Sequence, residues 1–168
     1  GLSVLLALIS GLFWFSVASF FGKVILQFYI SDASVIQNGL AYLNIAKFSY
    51  FPLALSFVFN MTYRNINRPK VPLIIGIIAM IMNIVVNYVL IFGLYGFPRM
   101  GIQGAAMGTC IAQMSSLCIH VLYAYQTKQP FIGSFQEMFT FDRYFIQPIL
   151  QKTQSIVFNE LLFGFGST

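Results

Sequence analysis

Two asparagines four residues apart, Asn83 and Asn87, and one glutamate, Glu160, are the residues of this chain whose chemistry fits least well with their surroundings. The asparagines lie in the run Val71 to Leu94, VPLIIGIIAMIMNIVVNYVLIFGL, which holds no charged residue across its 24 positions. Residues four apart on a helix share a face, so the pair offers two carboxamides side by side. A carboxamide can ligate a cation or hydrogen-bond an organic molecule, but it cannot exchange a proton near neutral pH. Glu160, in NELLFGFG, can do both jobs: its carboxyl group can take up a proton, or stay charged against a sodium ion.

These groups need elements that hold them, and the sequence supplies membrane-spanning helices. About 20 residues rising 1.5 Å each cross a bilayer core of roughly 30 Å. The composition matches: 58% of residues are hydrophobic, 8% are charged and the mean hydropathy is +0.81. Hydropathy places five spans, at about Leu2 to Phe21, Leu40 to Tyr63, Val71 to Leu94, Gln103 to Tyr125, and from Tyr144 to the end at Thr168. Glu160 is the only acid inside a span, and burying a carboxylate at such depth costs roughly 2.5 kcal/mol or more, which marks it as a functional group. The chain opens on Gly in an apolar span and stops within a helix-like pattern, so it reads as truncated, without a cleavable signal peptide.

The connecting segments set the orientation. Arg64, Arg68 and Lys70 follow span two, and Lys128, Arg143 and Lys152 follow span four, against Lys23, Lys47 and Arg99 on the other side. By the positive-inside rule the loop 64–70 and the segment 127–143 face the cytoplasm, and spans one, three and five run outward. The net charge of +5 is therefore topological; the basic residues form no face for nucleic acid. Pro69 and Pro72 suit a tight connection followed by a helix start. The segment Lys23 to Gly39, KVILQFYISDASVIQNG, mixes polar and apolar residues irregularly and reads as an interfacial connection. Gln126 to Arg143 is too long for a hairpin between neighbouring helices and reads as an inner linker.

Several single residues read as structural. Lys47 reads as a lysine snorkelling to the outer surface, with Pro52 kinking its span. His120 has no second His, Cys pair or acid nearby in sequence to make a metal site. Cys110 and Cys118 would stand about 12 Å apart on a helix, beyond disulfide reach. Gly93, Gly96 and Pro98 shape an outer turn, while Gly101, Gly104, Ala105, Ala106 and Gly108 give span four a small surface for close helix packing. Trp14 and the 19 Phe and nine Tyr residues suit lipid contact and interfacial belts, and some rings could line a chamber for flat cationic molecules.

Asn83 to Ala106, NIVVNYVLIFGLYGFPRMGIQGAA, carries N-x-x-x-N-Y, then I-F-G, then G-x-P-x-x-G-x-x-G-A-A, with Thr109 soon after. Together with R-x-x-x-R-P-K at Arg64 to Lys70 and N-E-x-x-x-x-x-G at Asn159 to Gly166, this order resembles the multidrug and toxic compound extrusion (MATE) family, in its NorM-like branch. The resemblance implies an all-α, polytopic membrane helix bundle, part of a twelve-helix, two-lobe transporter of the MOP superfamily. Residues 1–126 would be helices three to six of the first lobe, 127–143 the cytoplasmic inter-lobe linker and 144–168 the start of helix seven. It further implies a prokaryotic inner-membrane location, no cofactor, and sodium or protons as coupling ion. Its partners would be the bilayer, small organic cations or drugs, and the remaining helices of the transporter.

Within that frame Glu160 takes the place of a second-lobe coupling glutamate, and Asn60, Asn83 and Asn87 become polar ligands of a first-lobe pocket. Asn60 and Asn83 each lie a few turns from the basic loop, so they can meet across an antiparallel helix pair. The competing reading of the asparagines is interhelical hydrogen bonding, about 0.6 to 2 kcal/mol each. In one branch of the family the position of Asn87 is an aspartate that binds the coupling cation; an amide here moves titratable coupling to Glu160. The runner-up function is a lipid-linked oligosaccharide or polysaccharide flippase, which would call for more intramembrane basic residues than Lys47 alone. A membrane-embedded enzyme lacks a clustered His, Asp or Cys set in this sequence.

Overall fold

The computed structural model describes residues 2–129, and these are all α-helical apart from short connections. Helix α1 spans Leu2–Tyr29, α2 Ala33–Ala46, α3 Tyr50–Asn65, α4 Lys70–Phe92 and α5 Ile102–Gln126. A single 3-10 turn, Lys47–Ser49, joins α2 to α3 so that the two act as one broken span. Four segments are long and apolar enough to cross a membrane: Ser3–Tyr29, Ala33–Asn65, Lys70–Phe92 and Ile102–Gln126. The fifth expected span and the linker before it lie outside the described residues, as does Glu160.

The first connection departs from the sequence expectation. Lys23 to Gly39 is not an interfacial loop: α1 runs on to Tyr29, and only residues 30–32 interrupt helix before α2. The segment contains no Gly or Pro before Gly39, so nothing in it breaks a helix except the capping preference of Asp32. Asp32 Oδ1 accepts from the Ser34 amide at 2.7 Å and the Val35 amide at 3.4 Å, closing the start of α2. The Ser34 hydroxyl, donating at 2.8 Å, and then those amides hold the Asp32 carboxyl below its ordinary pKa.

Pro52 accounts for the break between α2 and α3. Its ring has no N–H to give the Phe48 carbonyl, and it crowds that carbonyl one turn back, so the chain tightens into a 3-10 turn just before it. Side chains take up carbonyls at the break: the Ser49 hydroxyl donates to the Ala46 oxygen at 2.6 Å, and the Cys110 thiol donates to the Ile45 oxygen at 3.3 Å. Both cysteines are free. At the other end of α3, Arg68 N–H returns to the Tyr63 oxygen at 2.8 Å, and Pro69 and Pro72 open α4 within its first turn.

Helix α4 stops at Gly93, whose φ of +70° turns the chain left-handed. A Cβ there would stand 2.7 Å from the Arg99 nitrogen, because the turn 93–101 folds back on the end of α4, with Met100 N–H bonded to the Leu90 oxygen at 3.0 Å. Helix α5 then packs along α4 and also meets α2 and α3. Six of its seven buried residues form a stripe at every fourth position, Gly104, Gly108, Ala112, Ser116, His120 and Ala124, all but His120 small, and Ala106 is buried beside it. Small side chains at that spacing let backbones close up where apolar collapse gives no drive, since lipid is as apolar as leucine. Elsewhere large apolar groups point outward; Phe20 is 80% exposed and Phe28 83%, the arrangement expected of a bundle whose solvent is lipid.

Candidate functional site

Asn83 and Asn87 occupy one face of α4, and Asn87 Nδ2 donates to Asn83 Oδ1 at 3.0 Å. The amides therefore bond to each other along one helix rather than across to a neighbour. Asn87 Oδ1 is buried and has no hydrogen-bond partner. It rests against Gly108 of α5, where an added Cβ would overlap it. The α5 stripe thus has a second effect besides packing: its missing side chain at position 108 is what admits the Asn87 amide into the α4/α5 seam. This unpaired carbonyl oxygen is sealed in the seam, so its capacity to accept from a ligand or ligate a cation would open only if α4 moved against α5.

Asn60 stands half-buried on α3. No hydrogen bond joins it to Asn83 among the described residues, so the cross-helix meeting expected from the sequence is not made through these side chains. Thr109, the next polar residue of the motif, turns its hydroxyl back to the Ala105 oxygen at 3.1 Å. Glu160 lies outside the described residues and so has no geometry to report.

Clefts among the described residues include one between α4 and α5 and one between α1 and α3, and neither of these is lined by the three asparagines. One, of about 560 Å³, runs between α4 and α5 along Ile78, Met82, Cys110, Met114 and Cys118. The other, of about 670 Å³, lies between α1 and α3 and presents Trp14, Tyr50 and Phe57 with Ser10, Thr62 and Asn65. Sequence reasoning had no means of pairing α1 with α3; the abundance of aromatic residues was the only signal.

The structure also places two residues that the sequence singled out. His120 is 1% exposed, its ring stacked against Phe59 and Tyr63 with centroids at 5.7 and 5.8 Å, so it is the structural residue that the sequence suggests. Tyr63 donates to the His120 backbone oxygen at 3.4 Å, tying α3 to α5. Lys47 does not stand near the start of its span. Because α2 begins at Ala33, Lys47 follows 14 helical residues, and its Nζ lies 5.3 Å from the Phe15 ring centroid and 5.9 Å from that of Phe48.

The architecture and its lipid-facing surface define an integral membrane protein of the polytopic helical class. The MatE family model matches residues 1–89, and the chain belongs to that family. It is 39% identical over 88 residues to the probable multidrug resistance protein NorM of Agrobacterium fabrum, covering 52% of this chain and 19% of that protein. It is 31% identical over 116 residues to the protein of the same name from Haemophilus ducreyi, covering 68% and 25%. Against the probable multidrug resistance protein YoeA of Bacillus subtilis it is 27% identical over 129 residues, covering 77% and 26%. The chain thus spans roughly a fifth to a quarter of the length of these curated relatives. No solved structure matches it.

Proposed function

We propose that this chain serves in a multidrug efflux antiporter that exports small organic, often cationic, compounds in exchange for sodium ions or protons. Membership of the MatE family and likeness to proteins named for multidrug resistance support the efflux reading. The observation that carries the local reading is the unpaired Asn87 oxygen, buried between α4 and α5 beside Asn83. Leaving a buried acceptor unsatisfied costs about 1–3 kcal/mol, and a ligand that donates to it, or a cation that it ligates, would offset that cost.

In this account the transporter rocks between inward- and outward-open states around a midplane cavity, in a bacterial inner membrane with the basic loop 64–70 on the cytoplasmic side. A bound cation and an organic substrate favour opposite states, so that each displaces the other. Asn60, Asn83 and Asn87 serve as polar ligands that can coordinate but not titrate. Glu160 serves as the coupling carboxylate. The test is Glu160→Gln in the full-length transporter, following substrate efflux under an imposed cation gradient. Efflux that no longer responds to the gradient is expected; unchanged coupling would remove Glu160 from the mechanism.

A further inference from the structure

Arg64, Arg68, Lys70 and Lys128 gather at one end of the described bundle, where α3 ends at Asn65, α4 begins at Lys70 and α5 ends at Gln126. Packing brings these ends together. The Tyr63 hydroxyl of α3 donates to the His120 oxygen of α5, and the Tyr63 ring meets that of Tyr123 edge-on, with centroids 5.9 Å apart. Both helices then close with the same kind of turn, in which the sixth amide returns to the first carbonyl. Arg68 N–H bonds the Tyr63 oxygen at 2.8 Å, and Gln129 N–H bonds the Ala124 oxygen at 3.1 Å. The left-handed residues of the two turns are Asn67 and Lys128. Arg68 and Lys128 thus stand on neighbouring turns, and Lys70 opens α4 two residues after Arg68.

All four side chains are exposed, and nothing among the described residues balances their charge. Asp32 is the only acid there, and it caps α2 at the opposite end of the broken span from Asn65. Arg64 and Lys128 suit the negative ends of the α3 and α5 dipoles, but Lys70 is the first residue of α4, where the dipole repels a cation. A lysine kept there beside three other bases calls for an anion. The cluster also coincides with the bounds of three candidate membrane spans, the level at which headgroups meet a bundle. Leu73, in the first turn of α4, and Tyr125, in the last of α5, are large and exposed on the membrane side of the bases.

We infer that this basic end binds an anionic phospholipid, whose headgroup phosphate meets Arg64, Arg68, Lys70 and Lys128 and whose acyl chains lie along Leu73 and Tyr125. Guanidinium groups hold phosphate oxygens two at a time, and clustered bases at a span end attract the anionic leaflet. A soluble phosphate offers the same charge but would leave Leu73 and Tyr125 uncovered. By the positive-inside rule the lipid belongs to the cytoplasmic leaflet. The site rests on neither the efflux reading nor the asparagine pair.

The test titrates the purified chain, in a neutral detergent, with phosphatidylglycerol and separately with phosphatidylcholine of the same acyl chains, reading the affinity of the first bound lipid by native mass spectrometry. Phosphatidylglycerol is expected to bind at least about fivefold more tightly, the factor that one base near an anionic charge supplies. Arg68→Gln with Lys70→Gln should erase most of that preference and leave phosphatidylcholine affinity unchanged. Lys23→Gln with Arg99→Gln, which removes two bases elsewhere in the fold, should leave the preference intact. Equal affinities in the unmodified chain, which needs no variant to fold, would overturn the site. So would a preference that survives Arg68→Gln with Lys70→Gln, or that falls as far in the Lys23 and Arg99 pair. Displacement of the lipid by excess inorganic phosphate would overturn the lipid as occupant. Glu137 and Asp142 lie outside the described residues. A preference that emerges only with Glu137→Gln and Asp142→Asn would assign the bases to those carboxylates and overturn the proposal.

Discussion

The amide oxygen of Asn87 fills the space that a side chain at Gly108 would need. This makes a glycine of α5 the seat of a polar group from α4, and it couples helix packing to the candidate site. Gly108→Ala must push the helices apart or turn the amide out, at a cost of about 1–3 kcal/mol typical of overpacking. Thermal unfolding in detergent measures it. Combining Gly108→Ala with Asn87→Ala should destabilise by less than the sum of the single changes, by at least about 0.5 kcal/mol, because the two residues share one space.

Asn87→Ala separates the two readings of the amide pair. Its one hydrogen bond runs within α4; side-chain bonds between membrane helices average about 0.6 kcal/mol with a maximum near 1.7, and a bond within one helix should contribute no more, so stability should fall by less than about 2 kcal/mol. If the bare oxygen meets a ligand, efflux by the full-length transporter should fall by about tenfold or more, the factor that corresponds to 1.4 kcal/mol. A large stability loss with normal efflux would make the pair a purely structural one.

The cap on α2 should respond to acid. The folded Asp32 carboxyl has its pKa lowered below 3.8 by the Ser34 hydroxyl and the amides of Ser34 and Val35. Its contribution is therefore fully present above that ordinary value and fades as pH falls through the lower folded one. Hydrogen exchange at the Ser34 and Val35 amides should quicken across that acid range. Asp32→Asn keeps an acceptor and should remove the pH dependence, whereas Asp32→Ala should quicken exchange at every pH.

Glycine at 93 is required by backbone as well as by space. At φ of +70° any side chain is strained, and a Cβ would press on the Arg99 backbone. Gly93→Ala should cost about 1–3 kcal/mol, read as a lower unfolding temperature, with the turn 93–101 losing protection first.

Much of this arrangement is legible in the sequence because membrane helices advertise themselves by length and apolarity. The third span, read as Val71 to Leu94, is the helix Lys70–Phe92, bounded by Pro69 and Gly93 as those residue types dictate. The four-residue spacing of Asn83 and Asn87 likewise predicts their side-by-side placement. The first connection is less legible: irregular polarity from Lys23 to Asn38 suggests a loop, yet nothing there ends a helix except the Asp32 cap. With the helix beginning at Ala33, Lys47 follows 14 helical residues instead of standing near the start of its span, and its Nζ lies over Phe15. The seat at Gly108 was beyond reach for a different reason: a run of small residues announces close packing, but not which side chain of which helix fills the space.

The central claim is exchange of an organic compound for a cation through a route that includes the Asn83 and Asn87 amides. Its most direct test is uptake and release of ethidium by proteoliposomes carrying the full-length transporter, with sodium and proton gradients imposed one at a time. The account predicts ethidium movement against its own gradient when one of the two is present, collapse when that gradient is dissipated, and strong loss in Asn87→Ala and Glu160→Gln. Ethidium movement indifferent to both gradients, or unchanged in both variants, would contradict it.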